Sequence, residues 1–70
     1  MNTVYYLDLQ SVAQSLSLST ATVKRLVAAG DLPKPRALTG KRVGWLAREI
    51  EAWAEARPAS SVLPPPSKAA

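Results

Sequence analysis

Two prolines close together, Pro33 and Pro35, divide this 70-residue chain into parts that cannot share one helix. Each ring lacks a backbone N–H and drives the preceding residue towards extended geometry, so Leu32 to Arg36 is expected to run as an extended connector. Just ahead of it, Gly30 suits the left-handed position that closes a helix. Whatever precedes must finish near residue 29, and whatever follows must begin afresh.

Upstream, Asp8 can accept a hydrogen bond from free backbone N–H groups as an N-cap, and Leu9, Val12, Ala13 and Leu16 follow at i, i+3, i+4 and i+7. This spacing predicts a short amphipathic helix. Ser17 and Leu18 leave room only for a tight turn, and Ser19 is placed to cap a second helix from about Thr20 to Ala29, with Gly30 as its stop. At 100° per residue, Val23, Leu26 and Val27 share one side of that helix. Ala21, Arg25 and Ala28 point the opposite way, flanked by Thr22 and Lys24. A helix with only a structural role usually carries acids among its exposed bases, to form i,i+4 pairs; this one has none.

Downstream, Ala37-Leu38 and Val43-Gly44-Trp45 read as two short strands separated by Thr39-Gly40-Lys41-Arg42, a β-hairpin with a basic tip. From about Leu46 to Arg57, Leu46, Ile50, Trp53 and Ala54 mark the apolar side of a third helix, with Glu49 in its first turn, Arg57 in its last and Pro58 at its end. Residues 58–70 show no periodicity and contain a proline triplet, so a flexible tail with local polyproline II character is expected. The expected architecture is mostly α: a winged helix-turn-helix domain over residues 4–57, built from three short helices and a two-stranded hairpin, followed by the tail.

Composition removes several function classes. The chain has neither cysteine nor histidine, so disulfides, cysteine or histidine metal ligands and the commonest acid/base group are all absent. A domain this small buries too little surface to hold both a core and an internal catalytic cavity. Glu49, Glu51 and Glu55 could be taken for paired catalytic carboxylates, but acids in the first half of a helix are ordinary dipole chemistry. The expectation is therefore a protein that is not an enzyme and takes no cofactor or metal. No apolar run approaches the length of a membrane span, and Met-Asn-Thr-Val-Tyr-Tyr lacks the features of a signal peptide, which points to a cytoplasmic, nucleoid-associated protein.

The net charge is +4, and it is gathered in one stretch. Lys24, Arg25, Lys34, Arg36, Lys41, Arg42 and Arg48 are opposed between residues 24 and 48 only by Asp31. Charge collected this way attracts polyanions, although a basic run also fits a plain solvated face. In a helix-turn-helix the first helix braces the second, whose first turns meet base edges in the major groove. Base readout then falls to Arg25, Thr22, Ala21 and Lys24. Arg25 suits guanine O6 and N7, and Ala21 a thymine methyl. Ser19 and Thr20 suit phosphates at the helix start, Lys41 and Arg42 reach phosphates or a minor groove from the hairpin, and Lys34 and Arg36 support them from the connector. Trp45 and Trp53 could form stacking platforms for single strands, but their apolar neighbours favour core packing. Of Tyr5 and Tyr6, one is expected to pack and the other to be exposed.

The order of elements from Tyr6-Leu7 onward resembles the AlpA family of prophage regulators, and more broadly the excisionase and MerR-type winged helices. The resemblance spans about residues 6 to 57. It is carried by Ser-Leu-Ser-Thr-Ala-Thr-Val-Lys-Arg-Leu-Val-Ala-Ala-Gly-Asp-Leu-Pro-Lys-Pro at 17 to 35, then by Val43-Gly44-Trp45-Leu46 and by Glu49-Ile50 with Trp53. Leu32 stands where the family usually has phenylalanine, and Ala21-Thr22 where Ser-Thr is common. The resemblance implies a sequence-specific binder of double-stranded DNA, acting as a transcriptional regulator or as an excisionase-type architectural factor. Its expected partners are DNA, a recombinase or integrase, and further copies of itself on adjacent sites, with no membrane and a monomer in free solution. The contrasting reading is a protein-interaction module whose basic face meets a recombinase, polymerase or repressor.

Overall fold

A computed structural model describes residues 4–62. The order is β1 (Tyr6–Leu7), α1 (Leu9–Leu16), α2 (Thr20–Ala28), β2 (Arg36–Thr39), β3 (Arg42–Leu46) and α3 (Ala47–Glu55). This is a small, mostly α winged helix-turn-helix.

Both early helices begin on side-chain caps. Asp8 accepts the Ser11 N–H at 2.8 Å, and the Ser19 hydroxyl accepts the Thr22 N–H at 3.0 Å while donating to the Thr22 hydroxyl. These bonds satisfy N–H groups that have no partner within the helix. Both helices also end alike. The N–H groups of Gly30 and Asp31 turn back to the Val27 and Leu26 carbonyls around a left-handed Gly30, whose φ is 82°. The same pair of bonds closes α1, from Ser17 to Gln14 and from Leu18 to Ala13. There the left-handed residue is a serine, Ser17, with φ 58°. Nothing in the sequence singles Ser17 out, since a side chain in this conformation is normally disfavoured.

The hairpin forms, with boundaries that differ from expectation. β2 begins at Arg36 and reaches Thr39, β3 starts at Arg42, and only Gly40 and Lys41 make the tip. Thr39 pairs with Arg42 and Ala37 with Val43, so Leu38 is an extra residue, a bulge that kinks the outer strand. A third strand joins the two anticipated ones. Tyr6 and Leu7 pair antiparallel with Leu46 and Trp45, giving a sheet of order β1-β3-β2.

β3 is therefore the central strand, and Gly44 explains why it can be. A Cβ at this position would lie 3.2 Å from the Leu7 carbonyl oxygen and 3.0 Å from a Leu38 methyl. α3 starts at Ala47, one residue later than expected, because Leu46 still belongs to the sheet and stands at the helix N-cap without a side-chain bond. It ends at Glu55, which leaves Arg57 beyond the helix, its Nε donating to the Trp53 carbonyl.

The core consists of Val12, Ala13, Val23, Leu32, Trp45 and Ile50, with Leu7, Leu9, Leu16, Leu18, Leu26, Val27 and Trp53 packed around them. Leu32, where the resembled family has phenylalanine, is thus a core residue. Two expectations fail here. Ala54 is exposed, since α3 turns Ile50 and Trp53 inward, and Tyr5 and Tyr6 are both exposed, Tyr5 ahead of the short β1 and Tyr6 on that strand at the sheet edge. Residues 58–62 carry no helix or strand. The expected tail beyond residue 62 lies outside the described residues, as do the first three residues.

Candidate nucleic-acid interface

The turn between α1 and α2 presents α2 with its apolar stripe inward. Val23 is fully buried and Leu26 and Val27 half-buried, while Ala21, Lys24, Arg25 and Ala28 are exposed. Thr20 and Thr22 are half-buried at the helix start. The Ser19 hydroxyl hydrogen is used within the cap, whereas the Thr22 hydroxyl, which accepts it, keeps its own hydrogen to donate. No acid lies in α2, so Lys24 and Arg25 at the middle of its exposed face have no opposing charge on the helix itself.

The connector holds the hairpin in place. Pro33 and Pro35 cannot donate to any neighbour, but carbonyls on this segment can still accept. The Trp45 indole N–H bonds the Pro33 carbonyl at 2.7 Å, and the Trp53 indole N–H bonds the Asp31 carbonyl. Between those two anchors Leu32 is 3 % exposed and inserts into the core. Both tryptophans are thereby accounted for as structural groups. Trp45 is buried, and Trp53 is half-buried with the Arg57 guanidinium 4.2 Å above its ring. The anchors set the sheet against α2 across a shallow apolar groove lined by Val27, Ala28, Pro35, Val43 and Trp45, with Lys24 at its rim.

The cations of the connector and hairpin stand in different surroundings. Arg36 faces α3, where Nη2 lies 2.7 Å from Glu49 Oε2 and Nε also reaches the carboxylate. That contact raises the Arg36 pKa and holds the Glu49 carboxyl below the usual carboxylate range. Glu49, distant in sequence from Arg36, thus offsets part of the basic run. Arg42 lies beside Asp8 and Ser11 at the start of α1. The Asp8 carboxyl is also lowered, chiefly by the Ser11 N–H bond, with a smaller contribution from the Arg42 charge. Lys34 and Lys41 are exposed and form no ion pair among the described residues. The structure thus brings Lys24 next to the hairpin, leaves Arg25, Lys34 and Lys41 open to solvent, and engages Arg36 within the fold.

Among the described residues there is no cluster of acids fit to hold a metal and no helix long and apolar enough to cross a membrane. The indole anchors and the Arg36–Glu49 pair are absent from any reading of local pattern. The one signal that could have suggested the anchors is the pairing of two tryptophans with a segment rich in proline, whose carbonyls need donors from elsewhere.

No curated protein and no solved structure matches the chain. A family model described as the prophage CP4-57 regulatory protein, AlpA, matches residues 6–58. That span begins at the first strand and closes just after α3, so it takes in the helix-turn-helix, the connector with its indole anchors and the whole sheet. With the fold and the matched span in agreement, the chain belongs to the AlpA family of prophage regulatory proteins.

Proposed function

We propose that this regulatory protein binds a specific site on double-stranded DNA, with α2 in the major groove and the β2–β3 hairpin as a wing on the flanking backbone or minor groove. The observation that carries this reading is the exposed face of α2, where Ala21, Lys24 and Arg25 project with no acid beside them. A B-form major groove is about 12 Å wide and admits one helix. Arg25 reads guanine, Ala21 and Thr22 contact neighbouring base edges, and Lys24 reaches a base or a phosphate on the wing side. Ser19 and Thr20 sit at phosphates, with Lys34, Lys41 and Arg42 supplying charge along the backbone. Arg36 adds less, since Glu49 already shares its charge.

The wing domain comprises residues 4–57, and residues 58–70 are an appendage to it. The protein acts without a cofactor and is not an enzyme. It is a monomer at working concentrations in the cytoplasm, and copies gather on DNA because one small domain covers only a few base pairs. Occupying a promoter suffices for a regulator. An excisionase-type factor would in addition bend its site and contact a recombinase, so a bend in a circular-permutation gel shift separates the two roles.

The test is fluorescence anisotropy on duplexes selected from a random pool, at several salt concentrations. Arg25→Ala should relax sequence preference at one position, at a cost of about 1–3 kcal/mol, whereas Lys41→Ala should weaken all sequences alike and lower the salt slope by about 1. If no site is enriched and binding vanishes by physiological salt, the reading fails, and the basic face belongs to contact with an acidic protein.

A further inference from the structure

The two edges of the sheet are built differently. β2 carries the Leu38 bulge, the Arg36–Glu49 pair and the cationic tip, all of which discourage another strand from pairing there. Among the described residues β1 has no such protection. It follows Val4 and Tyr5, which are 57 % and 70 % exposed, and it forms the opposite edge. Tyr5 is held by its own backbone, since its carbonyl accepts the Ala47 N–H at 2.8 Å and so ties the strand to the first turn of α3.

Between these elements lies an open cleft of about 590 Å³ lined by Val4, Tyr5, Leu46, Ala47, Arg48 and Glu51. Its floor is apolar, and its polar rim consists of one base and one acid on the same side of α3. Neither forms an ion pair among the described residues. A two-fold interface requires a surface complementary to itself, and an apolar centre with one charge of each sign to its side meets that requirement. An acidic or a basic partner would leave one of the two charges opposed by a like charge, whereas a second copy related by a two-fold axis leaves neither.

We propose that this cleft is a self-association surface, on which a second copy docks symmetrically, Tyr5 against the apolar floor and Arg48 of each copy against Glu51 of the other. The patch is smaller than the roughly 800 Å² per partner of a standard stable interface, so pairing is reversible and weak. It lies by Leu46, about 13 Å along β3 from Arg42, and therefore leaves the hairpin tip free. If α2 reads DNA as proposed above, the pair presents two α2 helices about one axis, suited to inverted half-sites. The pairing itself does not depend on that reading.

Sedimentation equilibrium of the full chain without DNA, at low salt, tests it over about 10 µM to about 1 mM, where weak pairing becomes visible. The wild-type average mass should rise from the monomer towards twice that value. Arg48→Glu or Glu51→Arg alone should weaken pairing about tenfold or more, because each places like charges opposite one another. The two changes together should restore it to within about threefold. Tyr5→Ala should abolish it, with circular dichroism confirming that the fold is kept. A wild type that stays monomeric throughout overturns the proposal. So does a dimer indifferent to these changes, or a double variant that fails to recover.

Discussion

The helix-turn-helix and the sheet contribute cations to the same candidate interface, yet they are held together by different physics. α1 and α2 are organised by bonds spanning three to five residues: the Asp8 and Ser19 caps and the paired C-terminal turns at Ser17 and Gly30. The sheet and its connector depend on partners far away in sequence, Tyr6 with Leu46, Trp45 with Pro33, Trp53 with Asp31 and Arg36 with Glu49. A surface on the first unit can tolerate change one residue at a time, whereas the second loses several contacts when one residue is altered.

The largest expected effect lies in the sheet half. Trp45→Ala removes a buried ring and the donor to the Pro33 carbonyl, at a cost of about 3–5 kcal/mol. A domain of this size has only roughly 4–10 kcal/mol in total. A urea titration should find this variant largely unfolded or close to it. A loss below 1 kcal/mol would show that the connector does not depend on its indole anchor.

Next in size is Gly44→Ala. The added methyl must push against the Leu7 carbonyl, which is backbone and gives way less easily than the Leu38 methyl. Destabilisation of about 1–3 kcal/mol is expected, with the β1–β3 amides losing hydrogen-exchange protection before those of α1 and α2. Equal loss in both halves would erase the contrast between them.

In the helical half a single substitution should help. Ser17→Gly relieves a left-handed serine and should stabilise the protein by about 0.5–1 kcal/mol, raising the thermal midpoint by a few degrees. A lower midpoint would mean that the greater freedom of glycine in the unfolded chain outweighs the relief.

The smallest effect is that of pH. Asp8 and Glu49 both have folded-state pKa values lowered, by the Ser11 N–H and by Arg36 respectively. A lowered carboxyl contributes stability above its unfolded value and loses it as pH falls through the folded one. The thermal midpoint should therefore hold steady between about pH 5 and pH 7, where no histidine titrates, and decline below about pH 4.5. Glu49→Gln should make that decline shallower, and an unchanged slope would show that the Arg36 pair adds nothing to stability.

The same division of local from distant bonding governs what could be read from the chain in advance. Caps, the apolar stripes of α1 and α2, the Gly30 stop and the proline connector are all local, and each lies within a residue or so of its expected place. The exposed face of α2, with Ala21, Lys24 and Arg25, follows from helical periodicity alone. The third strand is two residues long, too short for any alternation to register, and it exists only because β3 offers it a partner. Glu49 belongs by sequence to α3 and by space to Arg36, so the charge count along the chain overstates what the hairpin side presents. Tyr5 and Tyr6 carry no local cue to the layer that would have covered one of them.

Local pattern along the chain sets the number and order of the helices, the break at the prolines, the hairpin and the sign of charge on α2. Each of these depends on backbone freedom or on residues within a turn of one another. Which strand is central, which cation is engaged and which indole holds which carbonyl emerge only when the chain has folded. Such contacts join residues 12 to 40 positions apart, and no local preference records a partner that the chain meets only once it has folded.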